Sequence, residues 1–151
     1  MKCDVCPYLE KFERTITQSK HWKVDINENQ EYLGRCYVAL KRHCSSLSDV
    51  KQEEWLDFAV LIKKLEKAFK DAFGAKLINW TCLMNAAYFE KPHNPHVHWH
   101  VRPRYEKDVE FAREKFIDPE FGHHYARTAD RIKILPEDKL QKIIKELQKN
   151  L

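Results

Sequence analysis

The first sustained pattern along the chain is an alternation of apolar and polar positions from Trp22 to Asn27. Successive side chains of a strand point to opposite faces, so a period of two predicts a half-buried strand there. Asn27-Glu28-Asn29 is turn-like, and Tyr32 to Leu40 is strand-like again, which predicts a hairpin. Lys41-Arg42-His43 and a polar loop from Ser45 to Asp49 follow. From Asp49 to about Phe73 the period changes. Trp55, Phe58, Ile62, Leu65, Phe69 and Ala72 recur at steps of three and four among lysines and glutamates, the pattern of a helix with one core face. Asp49 with Gln52 resembles a capping box, and Gly74 is a natural stop.

Leu77 to Asn85, rich in apolar and β-branched residues, reads as a central strand. A loop holding Pro92 and Pro95 leads into His96-Val97-His98-Trp99-His100-Val101, a strand that Arg102-Pro103-Arg104 should end. Residues 108–134 carry Phe111, Phe116, Phe121 and Tyr125 without a period and read as an irregular arm. Pro136 opens a short final helix with Leu140, Ile143, Ile144 and Leu147 on one face. Hairpin, long helix, two strands and tail together predict an α+β domain on an antiparallel sheet.

A chain of 151 residues is expected to form one domain over 1–151, with its core in about 3–105 and an arm and helix in 106–151. Hydrophobic residues make up 43% and charged residues 33%, which excludes a disordered chain. The net charge of +4 is mild. It suits an anionic small molecule, and without basic residues clustered among aromatics no nucleic-acid partner is expected. The segment from Met1 to Pro7 lacks the apolar core of a signal peptide, and no apolar run is long enough to span a bilayer, so a cytoplasmic protein without a membrane partner is expected. Five cysteines, with Cys36, Cys44 and Cys82 in apolar or strand-like contexts, read as a reduced set.

On a strand, His96, His98 and His100 share one face at intervals of about 6.6 Å, while Val97, Trp99 and Val101 turn toward the core. Three imidazoles in a row are a poor structural choice, because each buried ring needs partners for both nitrogens. Two chemistries fit the row: a metal centre, or nucleophilic attack by a neutral imidazole on phosphorus.

His96-Val97-His98-Trp99-His100-Val101-Arg102-Pro103-Arg104-Tyr105 resembles the His-φ-His-φ-His-φ-φ signature of the histidine-triad superfamily, with the Pro-Arg-Tyr that often follows. Gly34-Arg35-Cys36-Tyr37-Val38-Ala39-Leu40-Lys41-Arg42-His43 is similar to the family strand ending in Pro-Lys-x-His, with Leu40 at the proline. Asn85 falls where the family keeps an active-site asparagine, and Cys3-x-x-Cys6 where zinc-containing members keep an N-terminal pair. The resemblance covers roughly residues 3–105.

The resemblance implies a homodimer with a continuous sheet, and a hydrolase or nucleotidyl transferase acting at an α-phosphorus. The zinc-containing diadenosine polyphosphate hydrolase-like and adenosine phosphoramidase-like branch is the nearest in pattern. His98 would be the nucleophile, forming a nucleotidyl-histidine intermediate that water resolves. His100 would position the phosphate, and Asn85 with backbone N–H groups would stabilise its oxygens. Dinucleoside polyphosphates, nucleoside phosphoramidates and adenylyl sulfate are candidate substrates. By the same carry-over Cys3, Cys6, His43 and His96 would hold a structural zinc, with no organic cofactor. The family's Gln-Ser before the triad reads Pro92-His93, so His93 could donate a proton to the leaving group, with Asn94 a further polar candidate. The ribose-binding aspartate falls on Asn27. That substitution of Pro92-His93 keeps a rival in view, a nucleotide-binding sensor or scaffold without turnover. Phe121-Gly122-His123-His124-Tyr125-Ala126-Arg127 reads as a solvated loop or, by the resemblance, as a lid over the site.

Overall fold

A single antiparallel sheet carries the molecule in the computed structural model, which describes residues 3–89, 91–125 and 129–151. Met1, Lys2, Glu90, Ala126, Arg127 and Thr128 lie outside the described residues. The sheet strands are β1 (Thr15–Gln18), β2 (Trp22–Ile26), β3 (Cys36–Leu40), β4 (Leu77–Thr81) and β5 (His98–Arg104), in the order β1-β2-β3-β5-β4. Three helices, α1 (Cys6–Leu9), α2 (Gln52–Phe73) and α3 (Glu137–Lys149), and a small hairpin of β6 (Val109–Phe111) and β7 (Glu114–Phe116) complete the described elements. Among the described residues no helix is long and apolar enough to cross a membrane. All five cysteines carry free thiols.

The period-two reading of β5 holds. Val97 and Val101 are fully buried, and Trp99 stacks on Phe58 of α2 with ring centroids 5.3 Å apart. Trp22 of β2 packs on the same Phe58 ring at 4.6 Å, so α2 covers this face of the sheet. Burying rings of this size contributes roughly 2–3 kcal/mol each before entropy. On α3, Leu140, Ile143, Ile144 and Leu147 are buried, as their spacing predicts.

Several boundaries differ from the pattern. Helix α2 begins at Gln52 rather than Asp49; Lys51 is its N-cap, and the Lys51 N–H donates to Glu54 Oε2 at 2.8 Å. Of the expected stripe, Phe58, Leu65 and Phe69 are buried, with Leu61 and Ala68 completing it, while Trp55, Ile62 and Ala72 are half-buried at its margin. β3 starts at Cys36 rather than Tyr32. Gly34 turns the chain with φ +81°, and the Gln30 side chain accepts its N–H. The strand from Leu77 stops at Thr81 and lies at the sheet edge, not its centre; Asn85 opens a short 3₁₀ turn instead. β1 was invisible to the pattern because only Ile16 of its four residues is buried. The arm contains the β6–β7 hairpin, where Ala112 and Arg113 take positive φ.

Arg102-Pro103-Arg104 does not end β5. The β3 pairing stops at Cys36 opposite Val101, so beyond that point β5 has only β4 beside it. A proline without an N–H is tolerated where one side of a strand is unpaired, and Pro103 pairs with Ile78 there. The extension puts Arg104 on the histidine face. Its five donor hydrogens are all used: Nε and Nη2 grip Asp118 at 2.6 and 2.9 Å, and Asn79 Oδ1 and the carbonyls of His123 and Glu120 take the rest. Both partners are about 1% exposed. This clamp fixes the arm against the face that the helices leave free.

Losing one partner of a buried pair strands the other charge. Asp118→Asn is therefore expected to cost about 3–5 kcal/mol of stability, read as a lowered midpoint in urea unfolding; a loss below about 1 kcal/mol would mean that solvent replaces the clamp.

Candidate active site and metal-ligating group

Strand register decides which side chains can meet. Ala39 lies opposite His98, Tyr37 opposite His100, and Thr81 opposite His100 on the other side. The Tyr37 ring stands edge-on to both imidazoles, 6.1 Å from His98 and 5.0 Å from His100. A cavity of about 560 Å³ opens here, with His98, His100, Arg102, Arg35, Glu31 and Asn85 among its lining residues. Asn29, Leu83 and Ile132 also border it.

His98 Nδ1 lies 2.8 Å from the carbonyl oxygen of His96. A carbonyl can only accept, so Nδ1 carries the proton and donates. Nε2 then keeps its lone pair, 3.2 Å from Nε2 of His100. His100 Nε2 is 3.3 Å from the Leu83 carbonyl, which places its proton there, and its Nδ1 is buried without a partner. Burial, and then the neighbouring His98, push the His100 pKa down to about 4, so this ring is neutral at pH 7. The two rings are thus tautomerically ordered, with the His100 Nε2–H facing both the Nε2 lone pair of His98 and the Leu83 carbonyl.

His96 sits just before β5 and faces elsewhere. It is 2% exposed, and its Nε2 donates to the Leu40 carbonyl at 2.7 Å. Its Nδ1 lone pair therefore faces Cys3 Sγ and Cys6 Sγ, each at 3.4 Å, while His43 Nδ1 is 3.5 Å from Cys6 Sγ. The four donor atoms of Cys3, Cys6, His43 and His96 lie within 4.8 Å of one another. A tetrahedron with ~2.3 Å metal–sulfur and ~2.0 Å metal–nitrogen bonds has sulfur–nitrogen edges of roughly 3.5 Å, so these side chains fit a metal of zinc's geometry. The carbonyl behind His96 fixes the tautomer a ligand needs. Lys23, 2% exposed, holds the segment that carries both cysteines by donating to the carbonyls of Tyr8 and Lys11.

The remaining expected site residues are dispersed. Asn27 is 7% exposed and its Oδ1 accepts the Asn29 N–H at 2.7 Å; of that turn, Asn29 reaches the cavity lining. His93 is exposed with its ring 4.8 Å from Tyr88, and neither it nor the half-buried Asn94 lines the cavity. His123 and His124 are exposed, but Tyr125 from the same arm lies over the Arg102 guanidinium at 4.4 Å. Arg35 and Arg102 were missed by the residue patterns. A signal existed for Arg102, which occupies the last position of His-φ-His-φ-His-φ-φ, where an apolar residue is the rule.

A HIT domain model matches residues 9–107. Galactose-1-phosphate uridylyltransferase of Thermotoga maritima is 24% identical over 138 residues, covering 83% of this chain; the chain spans 43% of that relative's length. Among solved structures, a hypothetical histidine triad nucleotide-binding protein of Sulfolobus tokodaii superposes with a TM-score of 0.64 at 20% identity, over 99% of this chain and 93% of the other. A zinc-bound histidine triad protein of Mycobacterium smegmatis superposes with a TM-score of 0.61 at 19% identity, over 97% of this chain and 94% of the other. The family match spans most of the chain and takes in the whole histidine row, and on it the chain belongs to the HIT domain family.

Proposed function

We propose that the protein is a nucleotide hydrolase or nucleotidyl transferase in which His98 attacks the α-phosphorus of a nucleoside phosphoester or phosphoramidate. The observation that carries this reading is the tautomer of His98: with Nδ1–H held by the His96 carbonyl, the Nε2 lone pair opens on the cavity. That pair forms the N–P bond while the bond from phosphorus to the leaving group breaks, its electrons departing with that group. Water then attacks the same phosphorus and gives a proton to solvent. The P–N bond breaks, and its electrons return to Nε2. In a transferase another acceptor takes the place of water, as the uridylyltransferase relative suggests.

His100 supplies the N–H beside the reacting nitrogen, within reach of a phosphoryl oxygen. Asn85, at the start of its 3₁₀ turn, lines the same cavity and serves the charge that builds on the non-bridging oxygens. Asn29 reaches the cavity wall where a sugar hydroxyl can be held.

For the second site we propose zinc. Two thiolates and two imidazoles would bind it as a closed structural ion, without an open position for water, and would tie the N-terminal segment to the start of β5.

His98→Ala is expected to lower turnover of a fluorogenic adenosine phosphoramidate and of diadenosine polyphosphates by roughly 10⁴-fold or more, with an unchanged circular dichroism spectrum; undiminished turnover would remove the nucleophile. Nucleotide binding without turnover in the wild-type protein would favour the sensor reading instead. In ¹⁵N-resolved titrations His100 should remain the Nε2–H tautomer until about pH 4. Because the unfolded ring takes up its proton near pH 6.5, its burial makes stability fall as pH drops through that window. Protein purified without a histidine tag should contain about one zinc per chain, and Cys3→Ala should lose most of it; metal well below one equivalent in the wild-type protein would reject the site.

A further inference from the structure

Two arginines line the cavity with one carboxylate between them. Arg35 precedes β3 by one residue, Arg102 follows the last β3-paired residue of β5, and the two meet at the side chain of Glu31. Arg35 Nη1 contacts Glu31 Oε1 at 2.8 Å, and Arg102 Nε reaches the same oxygen at 3.4 Å. Two cations against one anion leave a net charge of +1 at this wall. The side chains of Arg102 and Arg35 are 6% and 12% exposed, so water screens that charge poorly. Burial and the adjacent Arg35 weaken the hold of Arg102 on its proton, the mark of a cation without enough partners. Arg102 Nη1 and Arg35 Nε are buried and donate to nothing among the described residues. Most buried guanidinium donors are satisfied, as all five are on Arg104 two residues further along the same face.

Among the described residues that line the cavity, the one carboxyl group, Glu31, is engaged by both arginines. His100 is neutral, and His93, the residue placed by the sequence where a leaving group would be protonated, is outside the lining. An amine or alkoxide leaving group needs a proton; a phosphate or sulfate leaves as an anion and needs positive charge instead.

We propose that Arg35 and Arg102 form a subsite for a second anionic group joined through oxygen to the reacting phosphorus, so that the preferred substrates are anhydrides of a nucleotide with a phosphate or sulfate. When the P–O bond breaks, its electron pair stays on the bridging oxygen, and the free Arg102 Nη1–H and Arg35 Nε–H receive the charge that develops there. The proposal rests on His98 as nucleophile only for its kinetic arm; anion binding tests the subsite without it.

Binding of inorganic pyrophosphate and of inorganic sulfate, followed by calorimetry, gives the first arm. Loss of one charged hydrogen bond is expected to weaken pyrophosphate roughly 10- to 100-fold in Arg102→Gln, while His98→Ala keeps wild-type affinity to within a few-fold. Glu31→Gln, which removes the shared carboxylate, is expected to tighten pyrophosphate by at least threefold, and decides the matter if Arg102→Gln fails to fold. Sulfate binding as tight as pyrophosphate would assign the subsite to a sulfate anhydride, and weaker sulfate binding to a phosphate one. In the second arm, the ratio of kcat/KM for a dinucleoside polyphosphate to that for an adenosine phosphoramidate should fall 10- to 100-fold in Arg102→Gln. Pyrophosphate affinity unchanged in both Arg102→Gln and Glu31→Gln overturns the subsite. A substrate ratio unchanged in Arg102→Gln overturns its role at the leaving group. If His98→Ala turns over normally while pyrophosphate still depends on Arg102, the nucleophile assignment fails and the anion site stands.

Discussion

Every second residue of one extended segment, from His96 to Arg104, is polar, and the segment runs through the middle of a sheet with strands paired on both sides for most of its length. Each of those five side chains must find partners away from bulk water, or remain costly to bury. The two ends solve the problem completely. His96 faces a carbonyl on one nitrogen and the cysteine pair on the other, and Arg104 uses every donor it has. The middle does not. His100 Nδ1 and Arg102 Nη1, two residues apart, have no hydrogen-bond partner among the described residues, and His98 Nε2 meets only Nε2 of His100. Incompletely satisfied buried groups are rare enough that two at successive same-face positions on one cavity wall mark it as a candidate site.

The opposite face of the same strand makes this affordable. Val97, Trp99 and Val101 pack into the core under α2, so the backbone of β5 is held rigidly by apolar contacts that owe nothing to the polar row. Rigid strands position side chains more tightly than loops do. The loops then come to the strand. The Arg104–Asp118 clamp brings in the arm, the arm lays Tyr125 on Arg102, and Ile132 borders the cavity.

Periodicity made the long elements legible. α2 and α3 follow a hydrophobic repeat that burial reproduces, because burying one face is what stabilises them, whereas in β2 and β5 polar residues of the other face, Lys23, Arg102 and Arg104, are buried as well. β1 is too short and polar for such a repeat, and the β6–β7 hairpin depends on two residues with positive φ that no apolar pattern announces. Pro103 looked like a strand end because sequence alone does not reveal that β3 stops opposite Val101. The histidine row and the four metal-ligating residues could be read from spacing and family resemblance. Arg35 and Glu31 could not. Their meaning lies in one carboxylate oxygen that joins two guanidinium groups 67 residues apart in sequence.

The metal-ligating group and the proposed nucleophile meet at a single residue. The His96 ring faces Cys3 and Cys6, while its backbone carbonyl accepts the His98 Nδ1–H. Anything that holds the ring in place also holds that carbonyl, and the carbonyl decides which nitrogen of His98 keeps its lone pair. A closed ion at this position therefore needs no chemical part in the reaction to matter for it. Its effect would pass through one peptide unit and be read as a tautomer, so that the proposed metal site, just before β5, and the proposed nucleophile, on it, would lie two residues apart without sharing a ligand.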